Sequence, residues 1–148
     1  MAIFSTTGSD TYPSHHIVQV VSGTYTTETS TNSTSYVSIN SALEPSITVT
    51  GSNKVWMMFN APTYHGSASA HIAIQIFRDS TALGPSTWAF GSTHNGGDSI
   101  LSTLSGNYLD TPGAGAHTYR LYHKTNTGVG YTCINTTRST ISLFEVSV

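Results

Sequence analysis

Hydrophobic residues recur mainly at every second position in the densest apolar stretch of this chain. Between residues 46 and 84 they form three runs, with Ile47 and Val49, then Val55, Met57 and Phe59, then Ile72, Ile74 and Ile76. That period is the signature of a strand with one buried face. Gly51, Ser52 and Asn53 separate the first two runs and tolerate positive φ, which predicts a hairpin whose inner faces meet. Trp56 and Met58 fill the alternate positions of the middle run. This strand is therefore apolar on both faces and is expected to be covered twice, with a second sheet or a neighbouring subunit on its other side.

The same reading along the rest of the chain predicts short strands separated by turn chemistry. Residues 1–15, small, polar and broken by Gly8 and Pro13, read as an extended attachment arm, and residues 16–148 as a single β-sandwich domain. Strands are expected over residues 16–28 and 36–39, and a second tight hairpin turns at Asp79 and Ser80. Residues 84–98 are the least regular part. They hold Trp88, Phe90 and His94 among four glycines and read as a long aromatic loop. Further strands are expected over residues 99–109, 117–124, 131–134 and 139–148, with Tyr119 and Leu121 on one face of the 117–124 strand and Arg120 and Tyr122 on the other. Strands of this length at this spacing predict an all-β, two-sheet antiparallel sandwich, jelly-roll-like in its connections.

Composition sharpens the picture. Of 148 residues only 8 % are charged, with a formal net charge of −2, and about a third are Ser or Thr. Helix-favouring Glu and Lys are scarce, which supports the all-β reading, and no basic stripe exists for phosphates, which argues against nucleic acid as a partner. No run approaches the length of a membrane-spanning helix, so membrane insertion is not expected. Cys133 stands alone, so no intrachain disulfide is available; it reads as a small core residue.

The succession IVQVV, a Thr-rich strand, SITVTGSNKVWMMFN, IQIFRDSTALG, YLDTPGAGAHTYRLY and STISLFEV resembles a family of small β-sandwich domains in tail-fibre and other virion proteins of tailed bacteriophages. Those domains are similar in architecture to the jelly rolls of tumour necrosis factor and the complement globular head. The resemblance covers residues 17–148. It implies a homotrimer located in the virion, joined to other virion proteins through the N-terminal arm, and it carries no catalytic motif. An oligomer interface would draw on Trp56, Met58 and Tyr122.

Candidate chemistry is sparse. Asp79, Asp98 and Asp110 occupy turn contexts where carboxylates bond local backbone, and no nucleophile elbow, phosphate loop or zinc-protease motif occurs, so no enzyme activity and no cofactor are expected. The histidines lack the spacing of a metal site. An ion on a symmetry axis, held by one histidine of each chain, escapes every test of spacing, and His117 and His123 are the residues that would supply it. Binding is expected instead in the loops over residues 62–70 and 84–98, which should emerge at one end of the sandwich. They carry Tyr64, His65, Trp88, Phe90, His94, Asn95 and Asp98 for contact with a host-surface glycan. The alternative is a free carbohydrate-binding module or lectin. There Trp88, Tyr64 and Tyr108 would stack on sugar rings while His94, Asn95 and Asp98 bond hydroxyls.

Overall fold

A computed structural model describes residues 14–67, 69–85, 89–94 and 100–148. Its strands are β1 (Ile17–Tyr25), β2 (Thr29–Thr31), β3 (Val37–Ser38), β4 (Ser46–Val49), β5 (Lys54–His65), β6 (His71–Arg78), β7 (Thr81–Ala82), β8 (Ser92–His94), β9 (Ile100–Asp110), β10 (Gly115–Thr125), β11 (Gly130–Thr132) and β12 (Ser139–Val146). They form two antiparallel sheets packed face to face, an all-β sandwich. In the first sheet β5 is central: β9 pairs along one side, and on the other side β12 gives way to β11, flanked in turn by β1 and β2. In the second, β6 and β10 pair at the centre, with β7 and β8 along the free side of β6 and β4 and β3 along that of β10. The chain crosses between sheets from β2 to β3, β4 to β5, β5 to β6, β8 to β9, β9 to β10 and β10 to β11, the jelly-roll habit of alternating layers.

Period-two alternation places Ile47 and Val49 of β4, Val55, Met57 and Phe59 of β5, Ile74 and Ile76 of β6, Tyr119 and Leu121 of β10 and Ile141 and Leu143 of β12 in one core. At about 25 cal/mol per Å² of apolar surface, burial of such a set is the main favourable term in folding. Gly106 makes part of this packing feasible. A Cβ there would sit 2.8 Å from the Phe59 ring, so the glycine leaves room for an edge-on contact between Phe59 and Phe90, with centroids 5.9 Å apart.

The stretch over residues 46–59 is not a hairpin. β4 pairs with β10 and β5 with β9 and β12, so the two runs lie in opposite sheets. Their inner faces do meet, across the core instead of side by side. Gly51, at φ 59°, turns the corner, and Asn53 donates its backbone N–H to the carbonyl of Thr50 at 3.2 Å. The hairpin at Asp79 and Ser80 forms as expected, with Phe77 opposite Ala82 and Arg78 opposite Thr81. Ser14 and His15, assigned from sequence to the arm, lie beside the body, where the His15 N–H donates to the carbonyl of Ser147 at 3.0 Å. Residues 1–13 lie outside the described residues.

Candidate functional site

The outer face of the first sheet carries two apolar rows. Strand register aligns Val20 of β1, Phe144 of β12, Trp56 of β5 and Leu109 of β9. All four point away from the core, since Val21, Leu143, Val55 and Asp110 beside them point inward. Val20 is 53 % exposed, Leu109 53 % and Trp56 36 %, and the Trp56 and Phe144 rings lie 5.4 Å apart. Met58, 44 % exposed, extends the row. At the other end of the same face Tyr131 of β11 aligns with Tyr64 and Leu101, the two tyrosine rings 5.7 Å apart. Between the rows the face is polar: Ser22 bonds Ser142 at 3.0 Å, and Thr140 donates to Asn60 Oδ1 at 2.5 Å. A depression of about 340 Å³ there is lined by Met58, Asn60, Ser105, Thr140, Ser142 and Phe144.

Trp56 and Met58 thus share one face, but Tyr122 does not join them. It projects from the outer face of the second sheet, because Tyr119, Leu121 and His123 take the inward positions of β10. Its ring lies against Phe77 with centroids 4.4 Å apart and planes inclined by 34°. Phe77 also meets Tyr36 edge-on at 6.3 Å, and Lys124 Nζ sits 4.5 Å over the Tyr36 ring. Beside the Phe77–Tyr122 pair opens a cleft of about 680 Å³ rimmed by Glu44, Asp79, Ser80 and Arg120.

That rim is held by its own bonds. Arg120 donates Nε to Glu44 Oε2 at 3.1 Å and Nη1 to the Asp79 carbonyl at 2.5 Å. Ser38 Oγ donates to Glu44 Oε1 at 2.6 Å, while Asp79 accepts the Thr118 N–H on Oδ1 and meets His117 Nδ1 on Oδ2, both at 3.0 Å. The Thr118 backbone N–H first, and then His117, hold the Asp79 carboxyl below its ordinary pKa. Asp79 is therefore the turn residue the sequence implies, with a side-chain partner added.

The loop residues singled out from sequence mostly play other parts. Tyr64 and His65 belong to β5, which continues through Pro62. His65 is buried, with Nε2 at 3.0 Å from Thr125 Oγ1 and 2.9 Å from the Thr127 carbonyl, and is not available to a ligand at the surface. Phe90 and Tyr108 are partly buried and pack together beside the core, centroids 5.7 Å apart, so neither offers a free platform. His94 is exposed on β8, opposite His71 of β6, the imidazole centroids 4.3 Å apart. Burial first, and then the charges of His94 and His65, lower the His71 pKa. Trp88, Asn95 and Asp98 lie outside the described residues. Residues 89–94 run along the edge of β6: the Phe90 N–H donates to the Ile74 carbonyl and the Ile74 N–H to that of Gly91, both at 3.2 Å. The connection that follows β5 leaves from the end of the sandwich where His65 pairs with Ile100, and residues 95–99, which follow β8, lie outside the described residues.

His123 is also corrected. It is 1 % exposed, faces the core and bonds Thr132 Oγ1 through Nδ1 at 2.9 Å, so it cannot reach an ion on a symmetry axis. Burial lowers its pKa to about 4. Among the described residues no three His, Cys, Asp or Glu side chains converge as metal ligands. Cys133 is buried, as a small core residue should be, with Sγ 2.9 Å from Ser139 Oγ.

Two polar networks were missed from sequence because their members are far apart in the chain. Glu145 is buried and accepts from Gln19 Nε2 at 2.6 Å, the Thr50 N–H at 2.8 Å and Asn53 Nδ2 at 2.8 Å. Desolvation raises its pKa, but these donors outweigh it and the net shift is downward. Asp110 accepts from Arg78 and from the Tyr119 hydroxyl, whose pKa is raised by burial and by that carboxylate. No protein-family model matches the chain, and no curated protein matches it either.

Proposed function

We propose that this chain is a structural module of a tailed-bacteriophage virion, in a tail fibre or its tip or as a capsid decoration, and that it assembles as a homotrimer through the outer face of its first sheet. The observation that carries the proposal is the row Val20, Phe144, Trp56 and Leu109 with Met58 beside it. Aromatic and aliphatic side chains aligned on an open sheet face are a contact surface, and left bare they invite non-specific association. With no disulfide to stiffen the chain, burial of this face between copies adds stability. The threefold symmetry and the virion setting come from the family resemblance. In the same reading residues 1–15 attach the module to other virion proteins. Deleting residues 1–13 then abolishes incorporation into particles while the sandwich keeps its melting temperature; a large drop in melting temperature speaks against an attachment role. The state of assembly itself is tested by the mass of the protein in solution, before and after Trp56→Asp.

A further inference from the structure

The outer face of the second sheet has the make-up of a saccharide site. Phe77 and Tyr122 pack against each other with centroids 4.4 Å apart and both line the cleft, and the surface that such an aromatic pair leaves open attracts the C–H groups of a pyranose through their partial positive charge. Around the rings stand an acceptor and donor set suited to hydroxyls: the carboxylates of Glu44 and Asp79, the guanidinium of Arg120 and the hydroxyl of Ser80. A carboxylate oxygen has two lone-pair directions, so Glu44 and Asp79 retain acceptor capacity beside the bonds they already make. Those bonds fix the rim before any ligand arrives, which lowers the ordering cost of binding. The cleft is open and mostly polar, about 680 Å³, a shape suited to a single saccharide unit held at the surface and not to an enclosed ligand.

Charge narrows the ligand class. Two carboxylates and one guanidinium line the cleft, and Arg120 is already paired with Glu44 at 3.1 Å. The remaining negative charge of Asp79, shared with the His117 imidazole at 3.0 Å, disfavours an acidic sugar. The geometry points to a binding site for a neutral pyranoside, resting against the Phe77–Tyr122 pair and hydrogen-bonded by Glu44, Asp79, Ser80 and Arg120. It uses the sheet opposite to the proposed oligomer face and does not depend on assembly. It also places glycan recognition away from the loop residues indicated by the sequence.

The test is an amide NMR titration of the full ¹⁵N-labelled chain. The neutral probes are methyl α-mannoside, methyl α-glucoside, methyl β-galactoside and N-acetylglucosamine, and the acidic ones glucuronate and N-acetylneuraminic acid. Expected are saturable shifts with at least one neutral sugar, centred on Phe77, Ser80, Arg120 and Tyr122, and binding of both acids at least about tenfold weaker. Tyr122→Ala should weaken binding at least about tenfold, while Tyr122→Phe, which keeps the ring, should bind within about threefold of the parent. No saturable shift with any neutral probe, shifts centred on Tyr64 and Tyr131 instead, or preference for an acidic sugar each overturns the proposal. If Tyr122→Ala does not fold, the shift map of the unsubstituted chain decides. Sedimentation of the same samples reports assembly separately, so failure of this site and failure of the oligomer are told apart.

Discussion

Arg78 and Asp110 form an ion pair that ties the two sheets together, with Nη1 of the arginine 2.9 Å from Oδ1 and 2.7 Å from Oδ2 of the aspartate. Arg78 closes β6 of the second sheet, and Asp110 closes β9 of the first. The Tyr119 hydroxyl adds a third hydrogen bond to the carboxylate at 2.8 Å, and the Thr111 N–H a fourth at 2.9 Å. A carboxylate 8 % exposed, with all its partners present, is stable; removal of one side leaves an uncompensated charge.

Asp110→Ala should therefore destabilise the fold by about 3 kcal/mol, because Arg78 and the Tyr119 hydroxyl lose their acceptor together. Urea unfolding at neutral pH measures it. A loss below about 1 kcal/mol would mean that solvent replaces the carboxylate readily.

His123 makes stability depend on mild acid. Its ordinary pKa of 6.5 falls to about 4 in the fold because burial disfavours the imidazolium. The unfolded chain thus binds the extra proton between these values, so stability is complete above pH 6.5 and declines as the pH falls towards 4. From pH 7.5 to pH 5 this one group should withdraw about 2 kcal/mol. His123→Gln, which retains a partner for Thr132, should flatten that part of the curve. An identical slope in parent and variant, by urea unfolding at both pH values, would assign the acid response to other groups.

Glu145 acts in a lower window and with the other sign of partner. Its donors keep the carboxyl ionised in the fold, so its contribution is present above the ordinary value of 4.5 and is lost as the pH falls below it. Glu145→Gln replaces one carboxylate oxygen with N–H₂, which is set either against Gln19 Nε2 or against Asn53 Nδ2 and the Thr50 N–H. It should cost about 2 kcal/mol at neutral pH. Thermal unfolding with no change in midpoint would show that the corner at residues 50–53 rearranges freely.

Much of the sandwich is legible in the sequence because one buried face forces period-two alternation, and Tyr119, Leu121 and the isoleucines of β6 obey it. The corner at Gly51 is misread because a tight hairpin and a crossover between sheets demand the same backbone freedom. The choice is made by β10, far along the chain, which takes β4 as its neighbour. Pro62 makes Tyr64 and His65 look like loop residues, since proline interrupts central strands. In the fold it sits where β5 exchanges partners, between the end of β12 pairing at Asn60 and the start of β11 pairing at Thr63, so the missing N–H breaks no ladder bond. Trp56 and Met58 are legible as a second apolar face, whereas the cleft at Phe77 and Tyr122 is not. Its rim joins Glu44 to Arg120 across 76 residues, a distance at which spacing carries no signal.

The assembly is tested most directly by sedimentation equilibrium of the full chain at micromolar concentration, paired with Trp56→Asp. The proposed interface predicts a mass three times the 15.7 kDa of one chain. The substitution, which sets a charge against Phe144 and Leu109 in the buried contact, should give a folded monomer. A parent protein that sediments as a monomer, with the Val20, Phe144, Trp56 and Leu109 row open to water at that concentration, would contradict it.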